Sequence, residues 1–231
     1  MRLIQRSYPE QEFVSLAEAK KHLRVTSTEQ DGVIETLIAA ARQRLEAETG
    51  RAFVDQRWEL RLDNFPLGIG FDARTRARLE ARTRQHVIEM YDIVIPKPPC
   101  IMVTDVTYYG ADDQVASLEQ DVDYYFIEAG LQRARLRPKT SGSSSNWPDT
   151  SEEVPDPVRI TFRAGFPLGE GSPGDPTENV PKQIKQASLL LIGHYYENRE
   201  EVITTSNRQQ VFQLPDGVAA LISPFIDRTP F

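Results

Sequence analysis

Apolar positions recur along this chain in two rhythms, one of three and four, the other of two. From Ser15 to Arg51 the rhythm is helical. Ser15 followed by Glu18 is the signature of a capping box, a hydroxyl at the N-cap answered by a carboxylate three residues on. Leu16, Ala19 and Leu23 form one apolar stripe. A second helix is predicted to start among Ser27, Thr28 and Asp31. Its buried face would carry Ile34, Leu37, Ile38, Ala41 and Leu45. Gly50 stands where a left-handed C-cap is wanted. Near the other end, Pro181 opens a helix whose stripe is Ile184, Ala187, Leu191 and Tyr195, flanked by Leu190 and His194. Pro215 to Phe225 predicts a short final helix carrying Val218, Leu221, Ile222 and Phe225.

Between these ends the period drops to two. Trp58, Leu60 and Leu62 alternate with Glu59, Arg61 and Asp63, which predicts a half-buried strand. Met90 to Ile95 reads as another, closed by Pro96, Pro98 and Pro99. Ile101 to Val103 and Val106 to Tyr109 continue as strand, turning at Gly110 to Asp113. Asp123 to Glu128 and Ala134 to Arg137 predict a hairpin around Gly130, and Val158 to Phe162 a further strand. The order is helices, strands, helices, which predicts an α+β fold. Terminal helices (1–52 and 180–231) would pack as a small bundle. Residues 53–179 would form a central antiparallel β-rich insert, with exposed loops at 139–157 and 166–180.

Composition narrows the class. The 231 residues suffice for one substantial core or a core plus a small insert. Charged residues at 26% and hydrophobic ones at 39% are those of an ordinary folded protein. The formal charge of −7 repels nucleic acid rather than gathering it. A single cysteine, Cys100, excludes an internal disulfide and is compatible with a reducing compartment. No apolar run approaches the roughly 20 residues that span a bilayer. The charge is uneven, however. Residues 71–88 hold five arginines (Arg74, Arg76, Arg78, Arg82 and Arg84) against Asp72 and Glu80. These are either a solvated face with local pairs or a contact for an acidic partner, a neighbouring subunit or DNA backbone.

Candidate chemistry is sparse. Gly169, Gly171 and Gly174 match the spacing of a dinucleotide-binding loop, but Pro173, Asp175 and Pro176 separate them from the next helix. Amides at a helix N-terminus could not face a pyrophosphate there. His22, His86 and His194 share no metal-ligand spacing. Cys100 reads as a packed thiol, and Asp112, Asp113, Asp121 and Asp123 lack a calcium-loop spacing. No cofactor, metal or catalytic constellation is expected. The last ten residues keep Ile222, Phe225, Ile226 and Phe231 near a chain end that would ordinarily fray. Such a tail either packs on its own core or docks on a partner.

The pattern SLAEAKKHLRV, an acidic turn, then IETLIAAARQRLEAETGR resembles the N-terminal signature of the tailed-phage head–tail connector (adaptor) family. VPKQIKQASLLLIGHYYENRE (180–200) and LPDGVAALISPF (214–225) resemble its C-terminal part, while the centre is similar in style only. The resemblance implies a non-enzymatic structural protein of the virion neck, made in the host cytoplasm. It would form a ring, twelvefold like the portal, beneath the portal protein, and would meet a stopper or tail-completion protein below. DNA would pass through the channel without being read. The resemblance also favours portal docking by Leu221, Ile222, Phe225, Ile226 and Phe231. The family pattern has a shorter connection where the arginines lie, so no role carries over to them.

Two rivals follow from the residues. The 15–50 hairpin could be a helix-turn-helix, its second helix offering Arg42, Arg44 and Arg51, although Glu35, Glu46 and Glu48 lie among them. A small hydrolase could assemble its site across the loops.

Overall fold

A computed structural model describes residues 1–66, 91–139, 147–166, 179–198 and 214–228. It divides into two compact units: residues 1–8 with 55–165, and residues 9–54 with 166–231. The arginine run at 71–88, His86, the glycines at 169–174 and Phe231 lie outside the described residues.

The second unit is helical. Helix α1 (Leu16–Leu23) begins with the expected capping box, Ser15 Oγ accepting from Glu18 N and the Glu18 carboxylate accepting from Ser15 N. Burial pushes the Glu18 carboxyl up, but bonds from Lys185 and Ser15 outweigh it and hold the group below its ordinary value. Helix α2 (Asp31–Thr49) ends at Gly50 with φ 71°, the left-handed cap its sequence predicts. It starts at Asp31, one of the three expected positions, and its N-cap is Gln30, without a side-chain bond. Helix α3 (Lys182–Glu197) takes Pro181 as its N-cap, and α4 (Asp216–Ile222) runs into a 3₁₀ turn, Ser223–Phe225.

Ile34, Ile38, Ala41 and Leu45 of α2 share one core with Ile184, Ala187, Leu191 and Ile192 of α3, Val218 and Ile222 of α4, and Phe13 and Phe53. Leu37 and Tyr195 only border it, because their positions fall at the rim of the stripe. His22 of α1 lies against Gly193 of α3, where an added Cβ would meet His22 Nε2 at 3.6 Å, an ordinary contact.

The first unit holds two antiparallel sheets. Strands β1 (Arg2–Gln5), β2 (Gln56–Leu62), β4 (Cys100–Tyr109), β5 (Val115–Leu118) and β8 (Val158–Ala164) form one, in the order β1-β2-β8-β4-β5. Strands β3 (Ile93–Val94), β6 (Tyr124–Ile127) and β7 (Arg135–Pro138) form the other, in the order β3-β7-β6. Leu60 pairs with Ile160 across β2 and β8, and Ile160 with Val106 across β4, so one face of the larger sheet is apolar and buried.

Several expectations need correction. Residues 2–5, grouped in sequence with the helices, are a strand paired to β2. Strand β5 was not expected at all, and β3 is shorter than Met90–Ile95. Residues 147–157, the described end of the expected loop 139–157, are not simply exposed. Trp147 is only 5% exposed, with Thr150 and Ser151 also buried. Its ring stacks on Phe65 at 4.9 Å and its Nε1 donates to Tyr91 O at 2.6 Å. Tyr108 meets Phe65 edge-on and Tyr124 lies 6.4 Å from Trp147, so this loop residue sits in an aromatic cluster with β4 and β6.

Candidate functional site

The C-terminal residues expected to dock are held in the helical unit as far as residue 228. Ile222 is 2% exposed and belongs to the core, while Leu221 and Phe225 pack against its edge. Beyond the helix, Asp227 N donates to Thr49 O at 2.8 Å and the Arg51 guanidinium donates to Phe225 O. Burial lowers the Arg51 pKa, and the nearby Asp227 charge opposes that. The tail is therefore tied to the C-terminal end of α2. Among the described residues of this group, Leu221, Phe225 and Ile226 keep part of their surface.

The recognition-helix reading fails at its basic residues. Arg42 is 3% exposed, its Nε 2.8 Å from Glu12 Oε2 and its Nη1 2.7 Å from Glu46 Oε2. The other Glu46 oxygen accepts from Phe53 N at 2.8 Å. Burial works to lower the Arg42 pKa, and the two carboxylates outweigh it, so the guanidinium stays charged. Arg51 is also buried, and Arg44 pairs with Glu48 at 2.7 Å. Two of the three cations that would read DNA are inside the unit. A helix cannot read base edges with buried side chains.

The catalytic candidates are equally occupied. Burial pushes the Cys100 thiol up to about 12, far from the thiolate a nucleophile needs. Asp112 Oδ1 accepts from Gln114 N and Asp123 Oδ2 from Glu119 N, so these acids shape turns. Asp113 and Asp121 take left-handed backbone, with φ near 59° and 64°, and Asp113 accepts from Ser151 Oγ. His22 lies against Gly193, and Asn198 Nδ2 donates to His194 O at 2.8 Å beyond the end of α3. Among the described residues no three His, Cys, Asp or Glu side chains gather to hold a metal. A cavity of about 390 Å³ in the β unit is lined by Asp63, Ser151, Glu152 and Asp156 without histidine or thiol. No described helix is long and apolar enough to cross a membrane.

What the β unit does present is surface. Arg2 pairs in register with Arg61, Arg61 with Arg159, and Arg57 with Arg163. Residues opposite one another in a ladder share a face, so these five arginines lie together on the side of the larger sheet away from its apolar core. Glu59, on the same face, is bracketed by Arg6 at 2.6 Å and Arg61 at 2.5 Å. Across the sheet the same face runs through Thr107 and Ser117 to Tyr109 and Val115, and Arg159 stacks over the Tyr109 ring at 5.3 Å.

Comparison with known proteins identifies the family. Residues 13–89 and 149–225 match the model of the phage gp6-like head-tail connector proteins, about two thirds of the chain. The protein belongs to this family of head–tail connectors. The unmatched stretch between the two blocks contains β3 to β7. A search of curated proteins finds no match.

Solved structures share the fold over the whole length. A chain in the neck of an empty gene transfer agent (GTA) particle, computed with C6 symmetry, is 19% identical with a TM-score of 0.66. A chain in the virion of the native GTA particle is 20% identical with a TM-score of 0.68. One in the neck of the native particle, computed with C12 symmetry, is 19% identical with a TM-score of 0.63. Each likeness covers 100% of this chain and 98% of the other.

Proposed function

We propose that this protein is the head-to-tail adaptor of a phage-like virion. Twelve copies form a ring beneath the portal, extend the DNA channel, and meet a stopper or tail-completion protein below. The carrying observation is that a chain of the head–tail connector family has the fold, end to end, of chains in particle necks computed with sixfold and twelvefold symmetry. The acidic balance of −7 supports a passive channel, since DNA slides past like charge without being held. Leu221, Phe225 and Ile226 are the C-terminal side chains assigned to the portal contact, with Ile222 reserved to the core.

Electron microscopy of the protein mixed with the portal of the same genome tests the reading. A second ring with the portal's symmetry on the narrow end is the expected result. Portal rings that stay bare at high protein concentration would overturn it.

A further inference from the structure

Among the described residues the larger sheet has two free edges, and they differ in charge. Among the described residues β1 pairs only with β2, and β5 only with β4. Residues 1–8, which contain β1, carry Arg2 and Arg6 and no acid, and Arg57 and Arg61 stand beside them on β2. Residues 111–123, which contain β5, carry Asp112, Asp113, Glu119, Asp121 and Asp123 and no base. Arg2 is exposed over 65% of its side chain, and its pairing with Asp156 at 3.3 Å is a weak surface contact. The acidic end also exposes apolar groups, Val115 at 61% and Val122 at 62%.

From this polarity we infer that neighbouring copies meet through the sheet. The arginine-bearing β1–β2 end of one copy docks on the acidic β5 end of the next. The inference rests on the ring reading above. A free edge leaves backbone N–H and C=O groups without partners and is a ready contact for another chain. Opposite charges at opposite ends of one sheet make the contact heterologous, and a heterologous contact that closes by rotation makes a ring. Arginine, tyrosine and methionine are also the residues enriched in protein interfaces, and Arg57, Tyr109 and Met102 all lie on the arginine-bearing face. DNA fits that face less well, because Glu59, Asp55 and Asp105 are set among the arginines.

The test uses full-length chains with Arg57→Glu, Glu119→Lys, or both. Among the described residues neither side chain makes an ion pair within its own copy, so no internal bond is lost. Each single variant should need about tenfold or more protein to form rings, free or on portal, since the reversed charge is met at every junction. The double variant restores opposite charges at each junction and should assemble like the wild type. An equimolar mixture of the two single variants should also recover, by alternating around the ring, and that recovery certifies that both are folded. Single variants that assemble like the wild type, or a double variant no better than either single, would overturn the inference and leave the adaptor reading intact. So would loss of salt-dependent duplex binding in Arg57→Glu with ring formation unchanged, which would assign the face to DNA. Wild-type protein that never forms rings would overturn both.

Discussion

The two units place their arginines differently. In the helical unit Arg42 and Arg51 are buried. Arg42 is enclosed by Glu12 and Glu46, and Glu46 also accepts from the backbone at Phe53, so the network joins the segment before α1 to α2 and to the chain leaving it. In the β unit the arginines of β1, β2 and β8 lie on an open face, and the acids collect near β5. Buried charge fixes an internal arrangement, because a group without its partner is costly there. Charge at a sheet edge is screened, contributes little to folding, and is available to a second chain.

The largest effect should come from removing the aromatic anchor of the β unit. Trp147→Ala vacates the site stacked on Phe65 and should cost about 3–5 kcal/mol, the range for truncating a buried Trp. Segment-resolved hydrogen exchange should show protection lost in β4 and β6. A change confined to the neighbourhood of residue 147 would mean that the aromatic cluster does not brace the sheets.

In the helical unit, Arg42→Ala leaves Glu46 nearly buried without its cation. It should cost about 3 kcal/mol, the lower end for a broken buried pair, because Glu12 retains some access to water. Urea unfolding followed by far-UV circular dichroism measures it. If Arg42→Met proved as stable as the wild type, the network would contribute packing volume rather than charge pairing.

Features fixed by neighbouring residues were legible in sequence. The capping box, the stripe of α2 and the Gly50 cap each depend on residues within a turn or two. What was hidden depends on partners far along the chain. Glu59 stands at a polar position of its strand, yet it is buried, because Arg6 arrives from 53 residues away. Trp147 was lost in a Ser- and Pro-rich segment whose average composition says loop, while one large ring decides its packing. Strand β5 has only four residues, too few for a period of two to stand out. The charge polarity of the sheet was invisible for a further reason: nothing in the residue pattern says that β1 and β5 are opposite edges. As for the C-terminal tail, its apolar content was plain, but its attachment to Thr49 and Arg51 required the fold.

Smaller effects sharpen the contrast between the units. Ser15→Ala removes the hydroxyl half of the α1 capping box and should cost about 1 kcal/mol, with faster exchange confined to the first turn. An effect spread over α2 and α3 would mean that α1 is a bracing element of the bundle rather than a peripheral one.

The smallest expected effect is a pH dependence in the β unit. Burial pushes the Glu59 carboxyl up, but bonds from Arg61 and Arg6 outweigh it and hold its pKa below the ordinary value. A folded-state pKa below the unfolded one stabilises the protein above the unfolded pKa, and the contribution is lost as pH falls through the folded value. Acidification should therefore weaken the wild-type β unit more than it weakens Glu59→Gln, which has no proton to take up at this position. Exchange rates in β1 and β2, measured for both proteins at neutral pH and below the carboxylate range, should converge at the acidic end. Parallel curves at all pH values would show that Arg6 and Arg61 are held by the sheet itself. Both would then be free for an acidic neighbour, and the open face of the sheet would be more basic than its internal ion pairs suggest.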